Sequence, residues 1–485
     1  MTLEQGEKLP NRDHKYVEVQ TEDKETGNCE PKRNYTQEYI SATISTLGTI
    51  ICGIQFAWLG PILPQLLSGN FKIQITLEQS VWVIGVLHIG ALPGSILASK
   101  LTNYFGRKNT IFLTTIPFIL SSLINIFAET VVHYYIAQFI GGLGFGASFV
   151  VVSTYISEIS SPEIRGILST LIQLAKSVGI LIVFVLGAYL PIVTYCSVLA
   201  IFPIIQLICT FYLPETPYFH VIKKDYNKAE KALKFLRNKS MVQDELKCLI
   251  EGFKEEIPES HQSFWDVFRD KTNLKSIIIL TVLLMGQTWT GFSAFFGYSQ
   301  VIFEDSHSSI SAETCGIFVA LMNFGVVFLS GPLIDRYGRR KLLMASGIIT
   351  FLPLAMLGGY FYLQDYTNFE HIEKLRLIPL IAMVFYKFSY GMGLSGIPYI
   401  MAGELFPTSV KSYAISIITI NRGAIGVVGN KIYQVVLSEF DYPGVFVMFI
   451  ILLILLLIFV YFAVPETKGL TLEEIQVKLR KSNKT

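Results

Sequence analysis

Three charged motifs occur twice in this chain, in the same order. Glu158, followed seven residues on by Arg165, returns as Glu404 followed seven on by Lys411, 246 positions later. Asn103-Tyr104-Phe105-Gly106-Arg107-Lys108 returns as Asp335-Arg336-Tyr337-Gly338-Arg339-Arg340 after 232 positions, and Pro214-Glu215-Thr216-Pro217 returns as Pro465-Glu466-Thr467-Lys468 after 251. The chemistry such sets can do is ion pairing. A glycine between a helix end and two cations lets the backbone turn tightly while the cations meet acidic partners on neighbouring helix ends. The spacing predicts one ionic cluster per repeat: Glu158 with Arg107 and Arg165, and Glu404 with Arg339, Arg340 and Lys411, next to Asp335 and Arg336. Such clusters are expected to act as a gate, closed in one state of the molecule and broken in the other.

Other chemistry is excluded. No nucleophile–base pair, metal-ligand spacing or cofactor loop is found, so neither an enzyme nor a cofactor is expected. The six cysteines are scattered without a CxxC, and the seven histidines do not cluster. Gly141-Gly142-Leu143-Gly144-Phe145-Gly146 looks like a phosphate loop only on the surface. It lies inside an apolar run, with no following Lys-Ser/Thr, and reads as close helix packing. The same absence of a Walker motif disfavours an ATP-driven pump. A net charge of +2 gives no argument for nucleic acid, and no obligate protein partner is evident.

The elements that must carry these residues are membrane helices. Half of the chain is hydrophobic, only 16% is charged, and mean hydropathy is +0.49. Apolar runs of about 20 residues fall at roughly 39–66, 81–102, 110–128, 132–156, 167–190, 192–213, 275–303, 314–334, 342–363, 377–402, 412–437 and 443–464. The expected fold class is therefore an all-α membrane protein, twelve transmembrane helices in two six-helix halves, 39–213 and 274–464. Between them, 214–273 carries 11 Lys/Arg and 11 Asp/Glu with helical spacing, and reads as a linker of short amphipathic helices. Residues 1–38 and 465–485 form polar tails, with no cleavable signal visible. The loops with the doubled motifs are basic and the opposite loops mainly acidic, so the positive-inside rule expects the linker and both tails in the cytosol. A repeat of this length in a hydrophobic chain points to a carrier with its site between the halves.

At these residues the chain resembles the sugar porter branch of the major facilitator superfamily, over nearly its whole length after about residue 36. The resemblance rests on Gly331-x-x-x-Asp335-Arg336-x-Gly338-Arg339-Arg340, on Tyr155-x-Ser157-Glu158-Ile159-x-x-Pro162-x-x-Arg165-Gly166, and on the two Pro-Glu-Thr motifs. Phe105-Gly106-Arg107-Lys108-Asn109-Thr110 and Tyr298-Ser299-Gln300-Val301-Ile302-Phe303 look most like its insect branch, which includes facilitated trehalose transporters. Asn103 and Tyr104 stand where the family usually has Asp and Arg, which implies a looser first gate.

The resemblance implies a mid-membrane sugar site lined by the fifth span and by the seventh, eighth, tenth and eleventh. Gln173, Gln287 and Asn323 match family positions. Thr288 and Ser293 replace a second Gln and an Asn, and Tyr399 replaces a Trp. Small hydroxyls such as Thr288 and Ser293 equally suit helix packing. Proton-coupled members generally pair an Asp in the first span with an Arg in the fourth. The aligned residues here are Gln55 and Gln138, neither of which titrates, so uncoupled transport is expected.

Cations inside the spans fit a neutral sugar least. Lys176 lies eleven residues past Arg165, hence ~16 Å into a ~30 Å core, and follows Gln173 by three on the same helix face. Arg422 stands within one residue of a cavity Trp of the family, and Lys387, in the tenth span, has room to snorkel. Lys176 and Arg422 imply a positively biased cavity, binding sugar hydroxyls by charge-assisted hydrogen bonds or favouring an anionic solute such as a sugar acid.

The functions left open are a facilitative uniporter of a neutral sugar such as a hexose or trehalose, a proton–sugar symporter, and a sugar sensor or a porter turned to another solute. The partners are the small-molecule sugar and the bilayer, and the plasma membrane is favoured over an internal one. The topology makes a direct prediction. Asn34, Asn238 and Asn483 sit in Asn-x-Ser/Thr sequons, all on the cytosolic side, and none is glycosylated. A glycosidase-sensitive mobility shift, lost on mutating Asn34 or Asn238, would reverse the orientation.

Overall fold

The computed structural model describes residues 35–68, 71–161, 163–237, 242–255, 269–367, 371–406, 411–469, 474–475 and 478–479. Asn34, Asn238 and Asn483 lie outside the described residues, as do the side chains of Asp335 and Lys411.

Six helices form the first half: Thr36–Ala57, Leu77–Phe105, Arg107–Ile126, Val131–Ile159, Arg165–Tyr189 and Ile192–Thr210. The second half runs through Lys271–Gly297, Ala312–Tyr337, Arg339–Tyr366, Ile378–Met392 with Ile397–Glu404, and Lys411–Ala463. The last helix hides a division. Its apolar part, Ile420–Ala463, has 44 residues, about 66 Å at 1.5 Å per residue, twice the thickness of a bilayer core. Asp441 breaks it with φ 53° and ψ −167°, two residues before Pro443. The chain therefore crosses twice, giving eleventh and twelfth spans and six in each half.

Glycine decides how the first half packs. A Cβ at Gly90 or Gly94 would collide with the carbonyls of Phe139 and Leu143, and one at Gly142 or Gly146 with those of Leu87 and Ala91. The second and fourth spans thus touch backbone to backbone, as the glycine run suggests, because lipid offers no hydrophobic drive and helices associate by close van der Waals contact. Gly53 and Gly179 do the same for the first and fifth spans, against the carbonyls of Lys176 and Ile50. Across the halves, the second span packs on the eleventh and the fifth on the eighth.

The linker contributes short helices Pro217–Ile222, Tyr226–Arg237 and Gln243–Glu255. It is fastened to the first half by Arg237, whose guanidinium meets Glu38 at 2.8 Å and Glu245 at 2.6 Å and donates to the Ile159 carbonyl. Fully buried Glu38 also accepts from the backbone N–H and hydroxyl of Ser161, both at 2.7 Å. Every oxygen of this buried carboxylate is engaged, the condition under which a buried charge is tolerable.

Gly146→Val puts methyl groups where the Ala91 carbonyl lies. It should abolish a monodisperse peak in size-exclusion chromatography. Gly325→Ala, at a helical glycine with open space around it, should leave the peak intact and stabilise the helix by about 0.5–1 kcal/mol. A folded Gly146→Val would refute the close packing.

Candidate functional site

Two broken helices build the site. In the seventh span a single π turn, Thr288–Phe292, contains non-helical Thr290 and Gly291, the latter at φ 104°. The tenth span stops at Met392 and resumes at Ile397. Each break repairs the other. Tyr386 and Tyr390 donate to the carbonyls of Thr290 at 2.9 Å and Gln287 at 2.8 Å. The Gln287 amide in turn donates to the carbonyls of Ser395 at 2.6 Å and Leu394 at 3.3 Å. Non-helical backbone at membrane depth survives only with such partners.

The breaks face a cavity of about 380 Å³ between the halves. Its wall holds Gln173, Lys176, Gln287, Asn323, Tyr399 and Arg422, six of the eight residues expected from sequence. Asn323 also bridges the halves, its amide donating to Ser177 Oγ at 3.3 Å. Thr288 and Ser293 are corrections. Thr288 donates to the Leu284 carbonyl and borders a separate small recess with Trp289 and Gly429, while Ser293 is buried away from the cavity. The π turn advances the helix register, so Phe292 takes the cavity face instead. Lys387 is another correction. It does not snorkel, being only 1% exposed with its Nζ 3.4 Å from the centre of the Phe296 ring.

The cavity opens towards the end that carries the doubled motifs. There Gln173, Ser169 and Ser153 on the wall are exposed. The far end is sealed by aromatic rings from both halves: Phe56 lies 5.8 Å from both Phe292 and Phe296, and Phe184 lies 6.5 Å from Phe296. Gly60 lets the chain meet the Phe296 carbonyl directly. Above this plug Lys431 pairs with Glu78 at 2.9 Å and Ser80 meets Tyr298 at 3.3 Å. The ion pair is 41% and 62% exposed, a class worth about 0–1 kcal/mol.

At the motif end each half contains one set of interactions, built alike. Gly106 and Gly338, at φ 94° and 88°, turn the chain into the third and ninth spans. The carboxylates of Glu215 and Glu466 accept from the helix-start backbone N–H groups of Arg107 and Arg339, each at 2.9 Å. Arg107 reaches Glu158 at 2.7 Å and Arg339 reaches Glu404 at 2.9 Å. The second oxygen of each Glu accepts from Thr216 or Thr467. Burial pushes the Glu215 carboxyl above its ordinary range despite its N–H donors. At the less buried Glu466, backbone donors from Lys468, Arg339, Arg340 and Thr467 outweigh that effect and hold it below.

Three expectations about these sets need correction. Arg165 does not join Glu158; its guanidinium points to the Ser160 carbonyl. Arg340 donates to the Tyr461 carbonyl, and Arg336 lies against the ring of Tyr337. Neither pair is broken although the cavity opens at this end, because each lies within its own half. The first copy is not looser either: Arg107 and Glu158 are 6% and 12% exposed, Arg339 and Glu404 15% and 24%.

Sequence reasoning missed the walls from the second and fourth spans, His88 and Phe149 among them, and the aromatic plug. The glycine run held a signal for the walls, since it brings those two helices together. The capping role of the Pro-Glu-Thr motifs gave no local sign.

The family model described as "Sugar (and other) transporter" matches residues 18–479. Among curated proteins, the chain is 32% identical over 453 residues to facilitated trehalose transporter Tret1 of Culex quinquefasciatus, covering 93% of this chain and 87% of that one. It is also 32% identical to Tret1 of Aedes aegypti, covering 92% of this chain and 55% of that one, so it spans about half that relative's length. Among solved structures, the xylose transporter XylE from E. coli superposes with a TM-score of 0.74 at 19% identity in a partially occluded inward-open conformation, covering 90% of this chain and all of that one. XylE bound to 6-bromo-6-deoxy-D-glucose gives 0.72.

Burial ranks the two ion pairs. Glu158→Gln leaves Arg107 enclosed without its anion, a loss of about 3–5 kcal/mol for a buried pair. Glu404→Gln, in more water, should cost less. Thermal unfolding in detergent should therefore give Glu158→Gln the lower Tm, and the reverse order would show that burial does not set the strength of these sets.

Proposed function

The chain belongs to the sugar transporter family, and from that premise we propose that it is a facilitative, uncoupled carrier of a sugar-class solute such as a hexose or trehalose, working by alternating access in the plasma membrane. The motif end faces the cytosol, with both tails and the linker, by the excess of basic residues in its loops. The two halves rock about the cavity. Closing the cytosolic end requires the plug of Phe56, Phe292 and Phe296 to part and the exposed Lys431–Glu78 pair to separate, which costs little. Each ionic set braces its own half, so the half moves as a body.

The single observation that carries the uncoupled reading is the pair Gln55 and Gln138. Both are buried, at 5% and 2% exposure, and Gln55 donates to Ser121 Oγ at 3.2 Å. Amides hold no titrating proton, and among the described residues no carboxylate lines the cavity, so neither place offers the acidic group on which proton coupling generally depends. Neutral polar groups with an apolar wall, here Gln173, Asn323 and Ser177 against Phe149 and Phe292, suit hydroxyls and the C–H face of a sugar ring.

Counterflow in proteoliposomes tests this. Trans-loaded hexose or trehalose should accelerate uptake of the labelled sugar, and a protonophore should leave the rate unchanged. Uptake above equilibrium driven by a pH gradient would establish symport, and binding without counterflow a sensor.

A further inference from the structure

The cavity contains more positive charge than a neutral solute can use. Lys176 lies on its wall, 8% exposed, with its Nζ 4.5 Å above the ring of Phe56 and 5.7 and 6.0 Å from those of Phe149 and Phe292. Arg422 stands on the same wall, its guanidinium 5.1 Å from the ring of Tyr399. Among the described residues neither head group has a carboxylate partner or a hydrogen bond to protein. Aromatic faces steady a cation but take none of its N–H donors. Lys387 places a third amino group just behind the wall, 5.0 Å from Phe292 on the side of the plug. The acids nearest along the chain, Glu163 for Lys176 and Glu439 for Arg422, are exposed and do not line the cavity.

The positions of these cations are fixed by packing. Gly53 brings the first span onto the backbone of Lys176 itself, so the lysine cannot withdraw along its helix. Asn421, next to Arg422, donates to Thr281 Oγ1 at 3.0 Å and sets the rotation of the eleventh span. Gly426 packs against the ring of His88, whose Nδ1 lies 3.2 Å from the Ile84 carbonyl. Held cations with unused donors around an open cavity make an anion site.

We propose that the preferred solute of this cavity is a sugar acid, its carboxylate held between Lys176 and Arg422 and its hydroxyls by Gln173 and Asn323. The proposal rests on the transport reading above and names the solute class for the same site. A small inorganic anion leaves most of the 380 Å³ and the neutral polar groups unused. A neutral sugar leaves both cations without a counter-charge in a membrane interior. A monoanion with a hydroxylated ring satisfies both. The charge has a thermodynamic corollary: an uncoupled carrier must distribute a monoanion according to the membrane potential, and a neutral sugar evenly.

The test uses purified full-length protein in proteoliposomes, with labelled glucose and glucuronate as probes. Glucuronate should compete for counterflow at least about tenfold better than glucose, the worth of one charge-assisted hydrogen-bonding group. At equilibrium under an inside-positive potential it should accumulate about tenfold for each 59 mV, with glucose remaining at unity. Lys176→Ile and Arg422→Met should each remove that preference, bringing the glucuronate-to-glucose competition ratio to about one. Lys176→Arg, which keeps the charge, should retain it and answers for any variant that fails to fold. Glucose exchange that glucuronate neither shares nor inhibits overturns the proposal and leaves the transport reading standing. Absence of exchange and binding for both probes overturns the two together.

Discussion

A backbone group freed inside a bilayer has no water to turn to, and the centre of this molecule is organised around that constraint. The seventh and tenth spans must open to make room for a solute, and opening exposes carbonyls that lipid cannot satisfy. Tyr386 and Tyr390 of the tenth span serve the seventh, and Gln287 of the seventh serves the tenth. Gln287 thus stands on the cavity wall with its amide donors already committed. Its contribution to recognition is the shape of the opposite wall as much as any contact of its own. Removing one of these partners would leave a carbonyl unpaired at membrane depth, which is why the two breaks stand or fall as a unit.

The two halves answer different mechanical needs. In the first, carbonyls meet glycines across the second and fourth spans and across the first and fifth, with no side chain between to yield. In the second, the cavity-forming helices are interrupted. The ionic set at the motif end appears in both, tying the start of the third or ninth span to the end of the fourth or tenth and to the segment after the last helix of its half. Since each set closes within one half, movement between halves is left to the interface, where an exposed ion pair and a cluster of rings are the chief ties at the far end. The energetics therefore favour rigid bodies over a soft interface, the arrangement alternating access needs.

Much of this was legible from residues alone. The doubled motifs located two halves, and the apolar runs located twelve spans, including the pair that the structure joins into one helix with a break at Asp441. Lys176 was placed in the cavity by a helical rise and a spacing of three from Gln173. What the chain concealed was phase. Thr288 and Ser293 were assigned to the cavity by their match to family positions, with helix packing as the equal alternative, and one π turn with Gly291 in a left-handed conformation sends both elsewhere and brings in Phe292. Equally hidden were contacts set only by tertiary approach: the ring of Phe296 over Lys387, and the carboxylate of Glu215 on a helix start 108 residues before it in the chain. Arg165 misled through its spacing from Glu158, since seven residues along the chain here cross the end of one helix and the start of another.

The glycine seams of the first half have an evolutionary consequence. Where a carbonyl already occupies the place of a Cβ, no substitution is neutral, and the second and fourth spans are closed to drift along that whole seam. Gly53 extends the restriction to the backbone on which Lys176 sits, though not to the side chain that Lys176 presents. New solute preferences in descendants of this chain must then arise by exchanging side chains on a fixed first-half frame, or by reshaping the interrupted helices of the second half. Of the two routes only the second can alter the backbone frame of the cavity.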